Sequence, residues 1–257
     1  MMKMMEQKSF RAKKSLGQHF LMHARIAERI ANVAELSPDS VAFEIGPGTG
    51  MLTRALLQRA GKVIAMEADE ELFEKLKIDF ANEIAAGKLK LFRGDIRAFD
   101  IATLPKSYAL VANIPYYLTG EIFRMFLESG NQPSSMTLLV QKEVAEKIAR
   151  DKKESILSLS IKAYGAPKYE FTVPHGAFKP APKVDSAVIA IRNISRKNFL
   201  SREEEQKFFK LIRAGFAHKR KFVRKNLSDA GFPTGNIPEK ARAEDLQLSD
   251  WLTLVRH

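Results

Sequence analysis

The sequence predicts an α/β protein: a mostly parallel sheet whose last strand is antiparallel, followed by a small helical domain. Three observations lead there. Through the first two-thirds of the chain, short apolar runs of strand type alternate with segments whose apolar residues recur at helical spacing. The last two apolar runs of that region are joined by a proline-rich loop with no helical pattern, as in a β pair. After about residue 195 the strand-type runs stop. The 257 residues suit one full domain plus an appendage, placed at 1–195 and 196–257, with 1–25 as a basic N-terminal segment.

The first strand is VAFEI (41–45), which ends in a glycine-rich turn. MLTRALLQRA (51–60) follows as a helix, with Met51, Leu52, Ala55 and Leu56 on one face. KVIAMEAD (62–69), LKLFRGD (89–95), YALVANIP (108–115) and SMTLLVQ (135–141) are the next strand-type runs. EELFEKLKIDF (70–80), TGEIFRMFLES (119–129) and QKEVAEKIAR (141–150) read as helices. This alternation makes the strands parallel, with helices on both faces. YEFTVP (169–174) and SAVIAIR (186–192) form the β pair. EEEQKFFKLIRAGFA (203–217), the basic stretch to Leu227 and EDLQLSDWLTLVRH (244–257) read as short helices. Phe208, Phe209 and Phe216 are expected in the core of that small domain.

Composition removes several function classes. Hydrophobic residues make up 45% and charged residues 28%, an ordinary soluble mixture. No apolar run approaches the roughly 18 residues of a membrane span, so no membrane partner is expected. The N-terminus MMKMMEQKSFRAKK is basic but lacks the apolar stretch of a secretory signal, which points to a cytoplasmic location. Zero cysteines exclude disulfides and thiolate metal sites. His19 and His23 stand four apart without a third ligand nearby, so no metal is expected.

The net charge of +12 is concentrated in two places. Residues 1–25 hold six basic residues, including Lys13 and Lys14, against one acid, Glu6. Residues 206–226 hold eight basic residues, among them Lys219, Arg220, Lys221, Arg224 and Lys225, and no acid. Two such clusters on an otherwise near-neutral chain point to a polyanionic partner.

Glu44-Ile45-Gly46-Pro47-Gly48-Thr49-Gly50 follows a strand and opens a helix. Glycines there let backbone approach a ligand, but the spacing departs from the dinucleotide fingerprint GxGxxG. Glu44 would also repel a pyrophosphate, whereas a cationic sulfonium and ammonium tolerate it. Glu67 ends the next strand, 21 residues after Gly46, where a carboxylate can accept from both hydroxyls of a ribose. Asp95, after Gly94, ends the third, where it could meet an adenine amino group. A nucleoside carrying a cation and no phosphate is S-adenosylmethionine. The α/β domain is thus expected to be a Rossmann-like S-adenosylmethionine-dependent methyltransferase domain.

Asn113-Ile114-Pro115-Tyr116 ends the fourth strand. An adenine amino nitrogen is a poor nucleophile because its lone pair is delocalised into the ring. The Asn113 side-chain oxygen and the Ile114 carbonyl can hold its two hydrogens and let it become more tetrahedral. Pro115 fixes the turn. Tyr116 can stack on a base taken out of its helix.

The order of these motifs resembles the ribosomal RNA adenine dimethyltransferase family, in particular its bacterial small-subunit branch. The resemblance covers nearly the whole chain. It includes Lys14 to Leu21, Glu44 to Gly50, Glu67, Gly94-Asp95, Asn113 to Tyr116, Gln141 to Ala145, Phe178 to Ser186, Ala217 to Lys221 and Arg224 to Leu227. The resemblance implies that His19, Leu21, Gly46, Glu67, Asp95 and Asn113 contact the cofactor, with Glu44 and Gly48 in the same turn. It implies Phe178 as a second stacking surface opposite Tyr116. It further implies two methyls on each of two adjacent adenines, in a hairpin near the 3′ end of small-subunit rRNA within an immature subunit. A monomer is expected. Two positions depart from the pattern: His19 stands where many relatives carry Asn, and Glu154-Ser155 where they often have Tyr-Gly. Two other readings stay open at this point. One is a large-subunit rRNA adenine methyltransferase of the antibiotic-resistance type, the other a non-catalytic RNA-binding assembly factor.

Overall fold

The structure is a computed structural model that describes residue 13 and residues 16–256. In chain order the strands are β1 (Phe20–Leu21), β2 (Val41–Ile45), β3 (Lys62–Glu67), β4 (Leu89–Arg93), β5 (Ala109–Asn113), β6 (Ser135–Gln141), β7 (Ala166–Val173), β8 (Phe178–Lys179) and β9 (Ser186–Arg192). The helices are α1 (Ala24–Val33), α2 (Met51–Leu57), α3 (Glu70–Asp79), α4 (Ala81–Ala85), α5 (Thr119–Leu127), α6 (Lys142–Ala149), α7 (Ile156–Lys162), α8 (Arg202–Gly215), α9 (Val223–Asp229) and α10 (Leu248–Arg256).

Seven strands form one sheet in the order β4-β3-β2-β5-β6-β9-β7. The first five are parallel, and β9 runs against both β6 and β7. The reversed strand is thus the last in the chain, as expected. From β2 the chain order proceeds to β3 and β4 on one side and to β5 and β6 on the other. That reversal opens a crevice at the carboxyl ends of β2 and β5. Ile45 and Ala112 are paired in register, so Gly46 and Asn113 leave the sheet side by side.

The sheet is buried on both faces, which is why β2 and β5 read as apolar runs rather than as alternating ones. Successive residues still point to opposite faces. Ala42 packs in the cluster that holds Ile30 of α1 and Leu56 of α2. Phe43 and Ile45 pack in the opposite cluster, with Phe126 of α5 and Leu159 of α7. This second cluster runs on into the C-terminal helices. Tyr164 is buried, stacks on Phe209 and meets Phe199 edge-on. Arg196 donates to Glu205 and to the carbonyls of Glu128 and Ser129. The change from sheet to helices falls near residue 196, and apolar packing crosses it. Phe208 and Phe209 are core residues, in a core shared with the sheet.

Several elements differ from expectation. α1 and α7 were not expected, and neither was the small β1–β8 sheet, whose partners are far apart in sequence. Glu154 and Ser155 prove to be the start of α7. Ser155 caps it by accepting from the Ser158 N–H, and buried Glu154 accepts from the Ser158 hydroxyl and the Lys162 ammonium. The Glu154 N–H also donates to the Glu244 carbonyl, tying this loop to the C-terminal segment. The basic stretch before Leu227 is not continuous helix: Lys219, Arg220 and Lys221 lie in a turn between α8 and α9.

Candidate cofactor and target-base site

His19, Leu21, Glu44, Gly46, Gly48, Glu67, Asp95 and Asn113 line one cleft at the carboxyl edge of the sheet, together with Ile114, Pro115 and Tyr116. The glycine turn forms its floor. Gly46 has a φ of +66°, and a Cβ there would enter open space with no atom within 4 Å. Bare backbone therefore faces the cleft, a cradle that any side chain would partly fill.

Glu67 is buried at the end of β3. Its Oε2 accepts from the Gly48 N–H and its Oε1 from the Asp69 N–H, both at 2.9 Å. Burial raises its pKa, and these backbone N–H groups hold the rise back. The carboxylate keeps lone pairs for a diol. Glu44 is 1% exposed, and the Thr53 hydroxyl donates to its Oε2 at 2.7 Å. Burial pushes the Glu44 carboxyl up to about 8, with the Thr53 bond opposing and the charge on Glu67 assisting. It is mostly protonated at pH 7, and a cation beside it would draw the proton off.

Asp95 stands on the wall with both oxygens engaged by Arg97, through the backbone N–H at 2.9 Å and the guanidinium. Those bonds hold its carboxyl below the usual range. Arg97 lines the cleft and was not foreseen. Across the cleft, Asn113 Nδ2 donates to the His19 carbonyl at 3.0 Å. That bond fixes which end of the amide is oxygen, and among the described residues no donor meets Oδ1. Tyr116 is anchored twice. Its hydroxyl lies 2.7 Å from the Ser186 Oγ, and its ring stacks on His19 with centroids 5.7 Å apart. His19 Nδ1 donates to the Pro180 carbonyl at 2.7 Å. Ser186, fully buried opposite Gln141 on β6, is a site residue that sequence reasoning missed. It stands 70 residues from Tyr116 in sequence, and although it closes the Phe178 to Ser186 segment that carries the family resemblance, nothing in that segment points to Tyr116.

Other expected residues lie elsewhere. Phe178 does not reach the cleft. It is 4% exposed and packs with Leu21 and Ala177, because β8 pairs with β1 and turns its ring inward. Lys13 was expected on an RNA face, but its ammonium lies 3.0 Å from Asp69, with Glu71 at 3.6 Å. Lys14 lies outside the described residues. Lys219, Arg220 and Lys221 are exposed in their turn. Buried Asn226 holds that turn, donating to the carbonyls of Gly215 at 2.6 Å and His218 at 3.2 Å. On α9, Lys225 pairs with Asp229 and Arg224 reaches Glu239. Among the described residues no three His, Asp or Glu side chains group as a metal site requires.

The family model for ribosomal RNA adenine dimethylase matches residues 9–257. A ribosomal RNA small subunit methyltransferase A from Dehalococcoides mccartyi is 39% identical, over 98% of this chain and 90% of the relative. The protein of that name from Fusobacterium nucleatum is 32% identical over 96% and 97%. Among solved structures, the 23S rRNA methyltransferase ErmE superposes with a TM-score of 0.76 at 26% identity, covering 92% of this chain and 98% of that one. A dimethyladenosine transferase from Plasmodium falciparum, at 24% identity and TM-score 0.78 over 92% and 96%, shares the fold. The match of one family model to nearly the whole chain, with near-full-length relatives at 32–39% identity, places this protein in the ribosomal RNA adenine dimethylase family.

Proposed function

We propose that this protein transfers methyl groups from S-adenosylmethionine to the exocyclic amino groups of two adjacent adenines in small-subunit ribosomal RNA. The substrate is a hairpin near the 3′ end of that RNA, in an immature small subunit during assembly. The enzyme works in the cytoplasm as a monomer. The observation that carries the reading is the orientation of Asn113, whose amide nitrogen donates to the His19 carbonyl and whose oxygen meets no donor among the described residues.

The cofactor supplies an electrophilic methyl on a cationic sulfur. The chain's own residues hold and orient. Glu67 accepts from the ribose hydroxyls, Gly46 and Gly48 present bare backbone, and Glu44 favours a cation. Asn113 Oδ1 and the Ile114 carbonyl accept the two amino hydrogens and turn the nitrogen lone pair toward the methyl. Tyr116 stacks on the everted base. The proton leaves after transfer, when the nitrogen is cationic, so a strong general base is unnecessary and positioning supplies the rate. Lys219, Arg220, Lys221, Arg224 and Lys225 hold phosphates. Phe178 becomes a second stacking surface only if its ring leaves the core.

The small-subunit reading is favoured over the large-subunit one by the relatives of that name, at 39% identity against 26% for ErmE. A non-catalytic assembly factor would have no need of the complete acceptor set at Asn113 and Ile114. The test is incubation with labelled S-adenosylmethionine and immature small subunits lacking adenine dimethylation, with the product mapped by mass spectrometry. Dimethyladenosine at two neighbouring adenines is the expected result. Transfer to large-subunit RNA instead would overturn the substrate, and cofactor binding without any transfer would favour the assembly factor.

A further inference from the structure

Two consecutive tyrosines at the mouth of the cleft differ in exposure and in what holds them. Tyr116 is half-buried and tied by its hydroxyl to Ser186. Tyr117 also lines the cleft, yet it is 59% exposed, and among the described residues no hydrogen bond uses its hydroxyl. Its ring rests against Gly17. A Cβ on Gly17 would come within 3.1 Å of the Tyr117 ring, and at a φ of +59° glycine lets the backbone pass this close without strain. Arg97, whose side chain is 54% exposed, lines the same cleft with its guanidinium locked on Asp95. An exposed aromatic, backed on one side by bare backbone and accompanied by a fixed cation, is a surface on which an unpaired base stacks. The chain's +12 charge matches a polyanion.

We infer that Tyr117 is the stacking platform for the nucleotide that flanks the target adenine. The inference rests on the proposed function and adds a second base subsite to it. An adenine that enters the cleft is pulled out of its helix, so the strand must bend at the rim, and its neighbour loses its own stacking partner. Tyr117 offers that neighbour a new one. Any base has a π face, so the subsite selects an unpaired neighbour rather than a particular base. Tyr116 and Tyr117 would then hold two consecutive nucleotides, one inside the cleft and one at its lip.

The test uses the whole 257-residue chain and immature small subunits whose target hairpin carries 2-aminopurine next to the target adenine. The wild type should quench the 2-aminopurine on binding. Tyr117→Ala should abolish the quenching and weaken RNA affinity about 10-fold. Tyr117→Phe should restore both, since the ring and not the hydroxyl is used. Affinity for S-adenosylmethionine, measured by calorimetry, should stay within about twofold in both variants. Unchanged quenching and RNA affinity in Tyr117→Ala would overturn the inference. So would a loss of cofactor affinity with RNA binding intact, which would make Tyr117 a wall of the cofactor cleft. A wild-type protein that binds RNA and methylates it without quenching would overturn the inference alone. One that neither binds nor methylates the RNA would overturn the proposed function as well.

Discussion

The carboxyl edge of the sheet and the turn between α8 and α9 are built on opposite plans. At the sheet edge the polar groups are buried or half-buried and already partnered: Glu44 with Thr53, Glu67 with two backbone N–H groups, Asn113 with His19, Tyr116 with Ser186. In the turn, Lys219, Arg220 and Lys221 stand exposed, while only the backbone beneath them is pinned by Asn226. The difference follows from the two tasks. Chemistry at one nitrogen needs acceptors fixed before the substrate arrives. Holding a polyanion needs charge at the right surface, and counterion release supplies the affinity whatever the rotamer. The two regions should therefore fail in different ways.

The largest effect is expected at the edge. Asn113→Ala removes the Oδ1 acceptor and should lower kcat about 1,000-fold. RNA affinity should stay within about twofold. Single-turnover methylation beside a filter-binding titration separates the two, and an equal loss in both would erase the contrast between the regions.

The reciprocal experiment reverses Lys219, Arg220 and Lys221 to Glu. RNA affinity should drop about 100-fold near 0.1 M salt, and the slope of log affinity against log salt should become shallower by about 2 to 3. Cofactor affinity and the rate at saturating RNA should hold. An unchanged salt slope would place the phosphates elsewhere on the protein.

A subtler test concerns the anchoring of Tyr116. Ser186→Ala and Tyr116→Phe each break the same hydroxyl contact, and each should cost about 10-fold in kcat. The double variant should cost no more than either single one, because the cycle removes a single interaction. Additive losses would show that the two hydroxyls act separately.

The smallest effect is thermodynamic. The Glu44 carboxyl is raised in the folded protein to about 8, so folding favours its protonated form. The wild type therefore loses stability as pH rises from the ordinary carboxyl range through about 8. Glu44→Gln can still accept from Thr53 and does not titrate. Its melting temperature should overtake the wild type by roughly 5 °C at pH 8.5 and by little at pH 5. A gap independent of pH would mean that Glu44 is not the titrating group.

The parallel sheet was legible because each strand is a short apolar run and each helix a periodic one, both local patterns. Lys62–Glu67 and Ser135–Gln141 lie within or at the ends read from sequence. α1 escaped because its start carries no helix signal: His23 makes no side-chain cap and the first turn holds no acid. α7 escaped because its signal is the cap formed by Ser155 and Ser158, and at Ser155 the family pattern has another residue.

By itself, the sequence determined the fold class, the family and the ordered set from Glu44 through Glu67 and Asp95 to Asn113. These residues end consecutive strands, so the order of the sheet brings them to one edge without further information. Only the tertiary structure decided what holds them. Ser186 reaches Tyr116 because β9 pairs antiparallel with β6. Phe178 is drawn into the core by a two-residue strand that meets its partner far along the chain. Lys13, read from the sequence as a phosphate ligand, lies against Asp69. Each of these is a contact between distant segments, set by packing and burial, and local sequence patterns carry no record of which distant groups will meet.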